Sequence, residues 1–256
     1  DVLKSGVPNA IRVAREILEP QGKRLKGIRL DSGDLAYLSK EARKLLDDAG
    51  LNDCIIVVSN SLDEYTIISL NQQEAMIDSY GVGEKLITSS SDPVFGAVYK
   101  LAAVKRDGVA VPKIKISETV EKITNPGIKE IYRVYDGEGK AVADYLTVKG
   151  EEIDTAHPVR YVDPVNYWKN RSFVGCTFKP LQKQIFRDGE LVYDLPSLED
   201  IRSYVRRQLD NEIWEEEQRF ENSHPHYLDM SPAMYELKMS MLHESNKECD
   251  QGTGEC

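Results

Sequence analysis

The sequence predicts an α/β fold, part of a barrel, with a mixed segment of β-hairpins and helices appended. Three observations carry this. Apolar strand-like runs at Leu25–Asp31, Cys54–Ser59 and Met76–Tyr80 alternate with helical patterns, giving strand, helix, strand, helix, strand over about 55 residues. Each run ends in a polar or glycine-rich turn: Arg29-Leu30-Asp31-Ser32-Gly33-Asp34, then Val57-Val58-Ser59-Asn60-Ser61, then Ile77-Asp78-Ser79-Tyr80-Gly81-Val82-Gly83. Turns at one end of successive parallel strands are where α/β barrels build active sites. After Thr88-Ser89-Ser90-Ser91-Asp92-Pro93 the repeat stops and hairpin signals take over.

Asn9 is placed to cap a helix over Pro8–Leu18 that ends at Pro20 and Gly22. Asp34 caps a second helix, with Leu35, Leu38, Ala42, Leu45 and Leu46 on one face and Gly50 as its stop. Cys54–Ser59 is continuously apolar, as a parallel strand covered on both faces requires. Asp63 or Ser61 starts a third helix, through Ile67, Ile68 and Leu70 toward Ala75. Phe95–Val104 and Val111–Ile116 have strand texture. Ile131–Tyr135 and Ala141–Thr147 flank the turn Asp136-Gly137-Glu138-Gly139, and Phe186–Tyr193 is a compact hairpin on Asp188-Gly189. Helices are predicted over Ser197–Asn222, capped by Ser197, and Ser231–His243, capped by Ser231 with Pro232 first. The expected organisation is therefore a barrel part at 1–104, a mixed hairpin and helical domain at 105–246, and a disordered tail at 247–256 within the polar stretch Glu244–Cys256.

With 256 residues the chain has ample material for a buried core, and three βα units make less than half of a closed barrel. The opening Asp1-Val2-Leu3-Lys4, which lacks Met, reads as cut from a larger protein. A net charge of −10 argues against nucleic acid as a partner. No apolar run approaches the length of a membrane span, and no signal peptide is visible. Four cysteines without a C-x-x-C pair argue against a disulfide scaffold or zinc site and favour a reducing cytoplasm.

The first turn brings one guanidinium, two carboxylates, a hydroxyl and a glycine together. Arg29 and free helix N–H groups suit anionic oxygens, while Asp31 and Asp34 suit a metal or sugar hydroxyls. The competing reading makes Asp34 a helix cap alone and Arg29–Asp31 a structural pair. Amides of Gly83 and Glu84, in the turn begun by Gly81, can face a phosphate, helped by the hydroxyls of Thr88 or Ser89; a bare turn is the alternative. Ser59 and Asn60, at the end of the second strand, offer a hydroxyl and an amide to a substrate, or merely form a loop turn before the helix. Lys100 reads as a surface or structural ion-pair residue, and the acidic run Glu212–Glu217 as a solvated helix face. Tyr167, Trp168 and Phe173 read as core or interface aromatics.

Several pieces together resemble the nicotinate phosphoribosyltransferase family, specifically its C-terminal portion. They are Gly27-Ile28-Arg29-Leu30-Asp31-Ser32-Gly33-Asp34-Leu35, Val57-Val58-Ser59-Asn60, Gly81-Val82-Gly83-Glu84-Lys85-Leu86-Ile87-Thr88-Ser89 and Gly96-Ala97-Val98-Tyr99-Lys100-Leu101. Ile185-Phe186-Arg187-Asp188-Gly189, Leu195-Pro196-Ser197-Leu198 and Asn222-Ser223-His224-Pro225 extend the likeness through the later half. The resemblance implies an irregular type II phosphoribosyltransferase barrel with an appended mixed domain, acting as a cytoplasmic homodimer. It implies that nicotinate is joined to the ribose 5-phosphate of phosphoribosyl pyrophosphate, with ATP as co-substrate and Mg2+ as cofactor. On this reading Asp31 and Arg29 are catalytic. Ser32, Gly33, Asp34, Ser59, Asn60, Gly81, Gly83, Glu84, Thr88 and Ser89 bind the phosphoribosyl group, and Asp31 and Asp34 hold Mg2+. Glu84 stands where many family members carry Thr. The family's phosphorylated histidine and ring-stacking residues are expected upstream of position 1, so His157, His224, His226 and His243 receive no catalytic role. The rival readings are a related nicotinamide or quinolinate phosphoribosyltransferase, and a non-catalytic folding or dimerisation fragment.

Overall fold

Asp1 accepts hydrogen bonds from the backbone N–H groups of Leu3 and Lys4, at 3.0 and 2.9 Å, and so opens a helical run. The run passes through a π turn at Val2–Gly6, helix α1 at Val7–Val13, a second π turn at Ala14–Leu18 and a 3-10 turn at Glu19–Gln21. Gly22 ends it in the left-handed region, at φ 67°. The helix thus starts before the predicted Pro8–Leu18 span. Asp1 rather than Asn9 caps it, because Asp1 already satisfies the first free N–H groups. The structure, a computed structural model, describes residues 1–94 and 96–250, and the chain divides into two compact units, Asp1–Ala97 and Val98–Cys256.

In the first unit, β1 (Gly27–Leu30), α2 (Leu35–Asp48), β2 (Ile55–Ser59), α3 (Glu64–Gln72), β3 (Ser79–Gly81) and the short α4 (Glu84–Ile87) follow in order. The strands form a parallel sheet, β1-β2-β3, with Leu30 opposite Val58 and Ser59 opposite Gly81. Asp34 caps α2 by accepting from Tyr37 N at 3.0 Å, and Asp63 caps α3 through Thr66 N and Oγ1. Those two bonds hold the Asp63 carboxyl below its usual range. The third strand begins later than Met76. Asp78 Oδ2 accepts from Ile56 N at 2.7 Å, so a side chain replaces a ladder carbonyl just before β3. Leu46, Leu51, Cys54, Ile56, Val58 and Leu62 close the core between α2 and the sheet. Ile56 has no exposed surface, so Ile56→Val is expected to cost roughly 1 kcal/mol of stability, read from the midpoint of a urea titration. A change below the error of that titration is the outcome that counts against this core assignment.

The second unit opens with the hairpin β4 (Ala103–Arg106) and β5 (Val109–Pro112), turning on Asp107 and Gly108 at positive φ. This corrects both predicted strands. Residues 96–102 form none, Phe95 lies outside the described residues, and the second strand stops at Pro112, which cannot donate to a ladder. The predicted hairpin is present as β6 (Lys129–Tyr135) and β7 (Ala141–Val148), with a register shift at Val134/Tyr135. There follow β8 (Val159–Val162), β9 (Asn170–Phe173), β10 (Thr177–Pro180) and the small hairpin β11 (Phe186–Arg187) with β12 (Glu190–Leu191). Next come α5 (Leu198–Arg207), α6 (Glu215–Gln218), β13 (Leu228–Met230) and α7 (Pro232–Asp250). Six strands make one sheet in the order β10-β6-β7-β13-β8-β9, in which β13 runs parallel to β7 and antiparallel to β8.

Pairing alternation puts Tyr145 and Ala143 on one face of this sheet, packed with Val134 and Phe173, and Met230 and Val162 on the other, against Met234 of α7. Lys100 donates to the backbone carbonyl of Lys122 and, among the described residues, forms no ion pair, contrary to expectation. The single helix predicted over Ser197–Asn222 is broken. Ser197 and Asp200 form a reciprocal capping box, but a π turn at Gln208–Glu212 gives way to extended Ile213 and Trp214 before α6. The break has a tertiary cause: Glu212 accepts from Tyr135 Oη at 2.7 Å, and Glu217 lies 3.0 Å from His226 Nδ1. The acidic run is therefore partly buried and partnered rather than wholly solvated. Ser231 caps α7 through Met234 N at 3.1 Å, and α7 continues through residues 244–250, where a polar tail was expected; residues 251–256 lie outside the described part. Among the described residues no helix is long and apolar enough to cross a membrane.

Candidate active site

The parallel register of β1, β2 and β3 sets the three predicted turns side by side at the carboxyl ends of the strands. Arg29, on β1, donates from Nη2 to Asp31 Oδ2 at 2.9 Å and from Nη1 to Ser59 Oγ at 3.4 Å. Its guanidinium thus spans the first and second turns. Both members of the ion pair are largely open to water, with side chains 65% and 51% exposed, so the pair holds geometry more than it adds stability. Gly81 faces Ser59 in the next register position, and a Cβ there would stand 3.4 Å from Ser59 Cβ.

Local backbone shapes these turns. Gly33 sits at φ 78°, and a Cβ there would come to 3.0 Å from Leu38 Cδ1, so both conformation and space call for glycine. Asn60 and Ser61 stand at φ 97° and 50°, and Ser61 Oγ donates to Asn60 Oδ1 at 3.3 Å. Two successive non-glycine residues at positive φ are a strained turn of the kind that gathers at binding sites. Ser32, between Asp31 and Gly33, is exposed.

The third turn is built differently from the expectation. Gly83 precedes α4, whose four residues carry too little aligned backbone for a strong helix-end field. Thr88 Oγ1 donates to Glu84 O at 2.7 Å, and Ser89 adopts φ 50°. Glu84 occupies the first turn of α4, where a carboxylate suits free N–H groups but repels an anion. Lys85 reaches instead toward Asp63, at 3.6 Å. Among the described residues no hydrogen bond or ion pair joins Gly83, Glu84, Thr88 or Ser89 to the first turn.

The residues brought together are therefore Arg29, Asp31, Ser59 and Gly81, with Ser32 and Gly33 in the same turn and Asp34 as its cap. This cluster can position an anionic group on the guanidinium and polar hydroxyls on the carboxylate. Among the described residues no group of three or more His, Cys, Asp or Glu gathers as for a metal ion. Asp31 and Asp34 offer the one or two carboxylates that Mg2+ uses when waters and substrate phosphates complete its shell, although Arg29 holds one oxygen of Asp31 and Tyr37 N one of Asp34.

The second unit holds a further polar cluster that sequence reasoning left without a role. Arg133 donates from Nε and Nη2 to Asp144 at 2.9 and 3.2 Å, while His226 lies 3.3 Å from Asp144 and 3.0 Å from Glu217. Its members come from β6, β7, α6 and the segment just before β13, and it ties the chain near Glu217 to the sheet. Only the pairing of β6 with β7 was visible beforehand. Phe173 is buried as expected, whereas Tyr167 and Trp168 are exposed.

Residues 128–238 match the sequence profile described as the nicotinate phosphoribosyltransferase C-terminal domain. The chain is 42% identical over 254 residues to the nicotinate phosphoribosyltransferase of Bacillus subtilis (strain 168), covering 98% of this chain and 51% of that protein. It is 34% identical to the Caenorhabditis elegans enzyme over 246 residues, covering 93% of this chain and 43% of that one. The crystal structure of human nicotinic acid phosphoribosyltransferase superposes with a TM-score of 0.73 at 26% identity, over 94% of this chain and 45% of the human one. The chain spans about half the length of the curated relatives it matches. A mixed α/β chain with this domain match and this near end-to-end likeness belongs to the nicotinate phosphoribosyltransferase family.

Proposed function

We propose that this chain supplies the phosphoribosyl-binding part of a nicotinate phosphoribosyltransferase, within an irregular type II barrel that works as a cytoplasmic homodimer. The reaction joins nicotinate to the ribose 5-phosphate of phosphoribosyl pyrophosphate, releases pyrophosphate to yield nicotinate mononucleotide for NAD synthesis, and is coupled to ATP hydrolysis. The observation that supports this most is the meeting of Arg29, Asp31 and Ser59 at adjacent strand ends, in a family whose members carry this name.

In this reaction positive charge develops at the ribose carbon as pyrophosphate departs, so the protein's work is placement and electrostatics. Asp31 offers its carboxylate to the ribose hydroxyls and to the developing oxocarbenium charge. Arg29, fixed between Asp31 and Ser59, holds a phosphate oxygen or the nicotinate carboxylate. Ser32, Ser59 and Asn60 orient the sugar from the two adjoining turns, and Gly33 and Gly81 let backbone approach it closely. Gly83, Glu84, Thr88 and Ser89 form the rim proposed for the 5-phosphate, through backbone amides and hydroxyls, with the Glu84 carboxylate directed away. Asp31 and Asp34 would hold Mg2+, which neutralises pyrophosphate charge when bound.

The test supplies nicotinate, nicotinamide and quinolinate in turn, with phosphoribosyl pyrophosphate, ATP and Mg2+, to a protein of the relatives' full length that contains this chain. Formation of nicotinate mononucleotide, with little turnover of the other two bases, is the expected result, and the 256-residue chain assayed alone is expected to form none. Preference for quinolinate or nicotinamide, or a full-length protein inert toward all three, overturns the assignment.

A further inference from the structure

The second unit holds a pocket of about 660 Å³ on the sheet face that carries Tyr145 and Phe173, large enough for a small organic ligand. Asp229 of β13 lines it. Pairing of Met230 with Val162 puts Asp229 on the same face as Tyr161 of β8. Asp229 is only 7% exposed, and among the described residues its carboxylate has no hydrogen-bond or ion-pair partner. A largely buried carboxylate whose oxygens meet only the water of the pocket is costly, and a cationic donor there would offset that cost.

The surroundings say what that donor is. Asp163 also lines the pocket, but its carboxylate already accepts from Val165 N at 2.9 Å and Asn166 N at 2.7 Å, so it stays ionised beside Asp229. Burial and this neighbouring negative charge together push the Asp229 carboxyl up to about 6. Lys169 and Arg171 also line the pocket and are exposed; Lys169 favours the charged form of Asp163, and among the described residues neither cation pairs with Asp229. Asp229 is therefore the buried charge of the lining, while both cations are exposed. The walls are aromatic: Tyr161 stacks on Phe173 with ring centroids 4.4 Å apart, and Trp168 and Tyr227 remain 66% and 50% exposed beside them. A buried carboxylate among π faces is the setting that holds a flat, delocalised cation.

We propose that this pocket binds a planar organic cation, an amidinium or guanidinium group, whose N–H groups donate to Asp229 while its plane lies against Trp168 or Tyr227. The cation can be a free small molecule or the arginine side chain of another protein segment.

Benzamidinium is the probe, titrated calorimetrically into the 256-residue chain beside its neutral isostere benzamide. One equivalent of benzamidinium is expected to bind, at least about tenfold more tightly than benzamide, since a charge-assisted contact contributes more than a neutral one. Asp229→Asn, which keeps the side-chain shape and removes a disfavoured charge, should lose that tenfold preference, and Trp168→Ala, at an exposed site, should weaken binding of the cation. A full-length protein containing this chain that binds benzamidinium equally well points to a free ligand; one that excludes the probe only while an arginine of its additional segment is intact points to that arginine. Absence of binding to the chain, equal affinity for benzamide, or an Asp229→Asn variant that binds benzamidinium unchanged overturns the proposal.

Discussion

Asp31→Asn, in a full-length protein containing this chain, is expected to lower kcat/KM for phosphoribosyl pyrophosphate at least about tenfold, since one charge-assisted contact contributes roughly 1.5–3 kcal/mol. The substitution keeps the shape of the side chain and removes its charge. It weakens both the contact with ribose hydroxyls and the electrostatic support for positive charge at the reacting carbon. The Arg29–Asp31 pair is exposed, so folding should hardly notice the change, and thermal unfolding of the variant serves as the control. Arg29 then loses its partner on one side while keeping Ser59 on the other. Unchanged kinetics in a folded variant would remove Asp31 from the site and leave its pairing with Arg29 as its whole role.

The second large effect concerns stability and pH. The folded-state carboxyl of Asp229 is raised to about 6, whereas in the unfolded chain it titrates near the ordinary aspartate value of roughly 3.9. The folded form therefore binds the proton more tightly. Its contribution to stability is least unfavourable below about pH 4, worsens as pH rises toward 6, and is fully unfavourable above that. Asp229→Asn should consequently stabilise the protein at pH 7.5 by an amount on the order of 2 kcal/mol, with the gain disappearing by about pH 4. Urea denaturation of both proteins at several pH values reads this directly. A variant that is no more stable at pH 7.5 than the parent, or whose gain is the same at pH 4, would show that Asp229 is not a strained carboxylate. A buried group that destabilises its own fold, in a pocket walled by aromatic rings, is better explained by what it binds than by what it supports.

Much of the candidate site was legible because its determinants are close in the chain. Asp34, Asp63, Ser197 and Ser231 could be read as caps because each bonds an N–H three residues on, a contact that sequence spacing alone fixes. The apolar run of β2 and the short hairpin turning on Asp188 and Gly189 were readable for the same reason. The turn Arg29–Asp34 stood out as a candidate site, since its charged residues, hydroxyl and glycine lie within six positions.

Local sequence determined the strand–turn–helix units, their caps and the chemistry of the first turn. Tertiary structure decided which groups meet. Arg29 finds Ser59 only through the pairing of β1 with β2. The predicted helix over Ser197–Asn222 breaks because Tyr135 and His226, distant in the chain, hold Glu212 and Glu217. The three residues of β13 enter the sheet between β7 and β8, more than 60 positions away, and that insertion places Asp229 where it is buried. Helix caps and tight turns are satisfied within a few residues, but desolvation and cross-strand register depend on partners that no local pattern names.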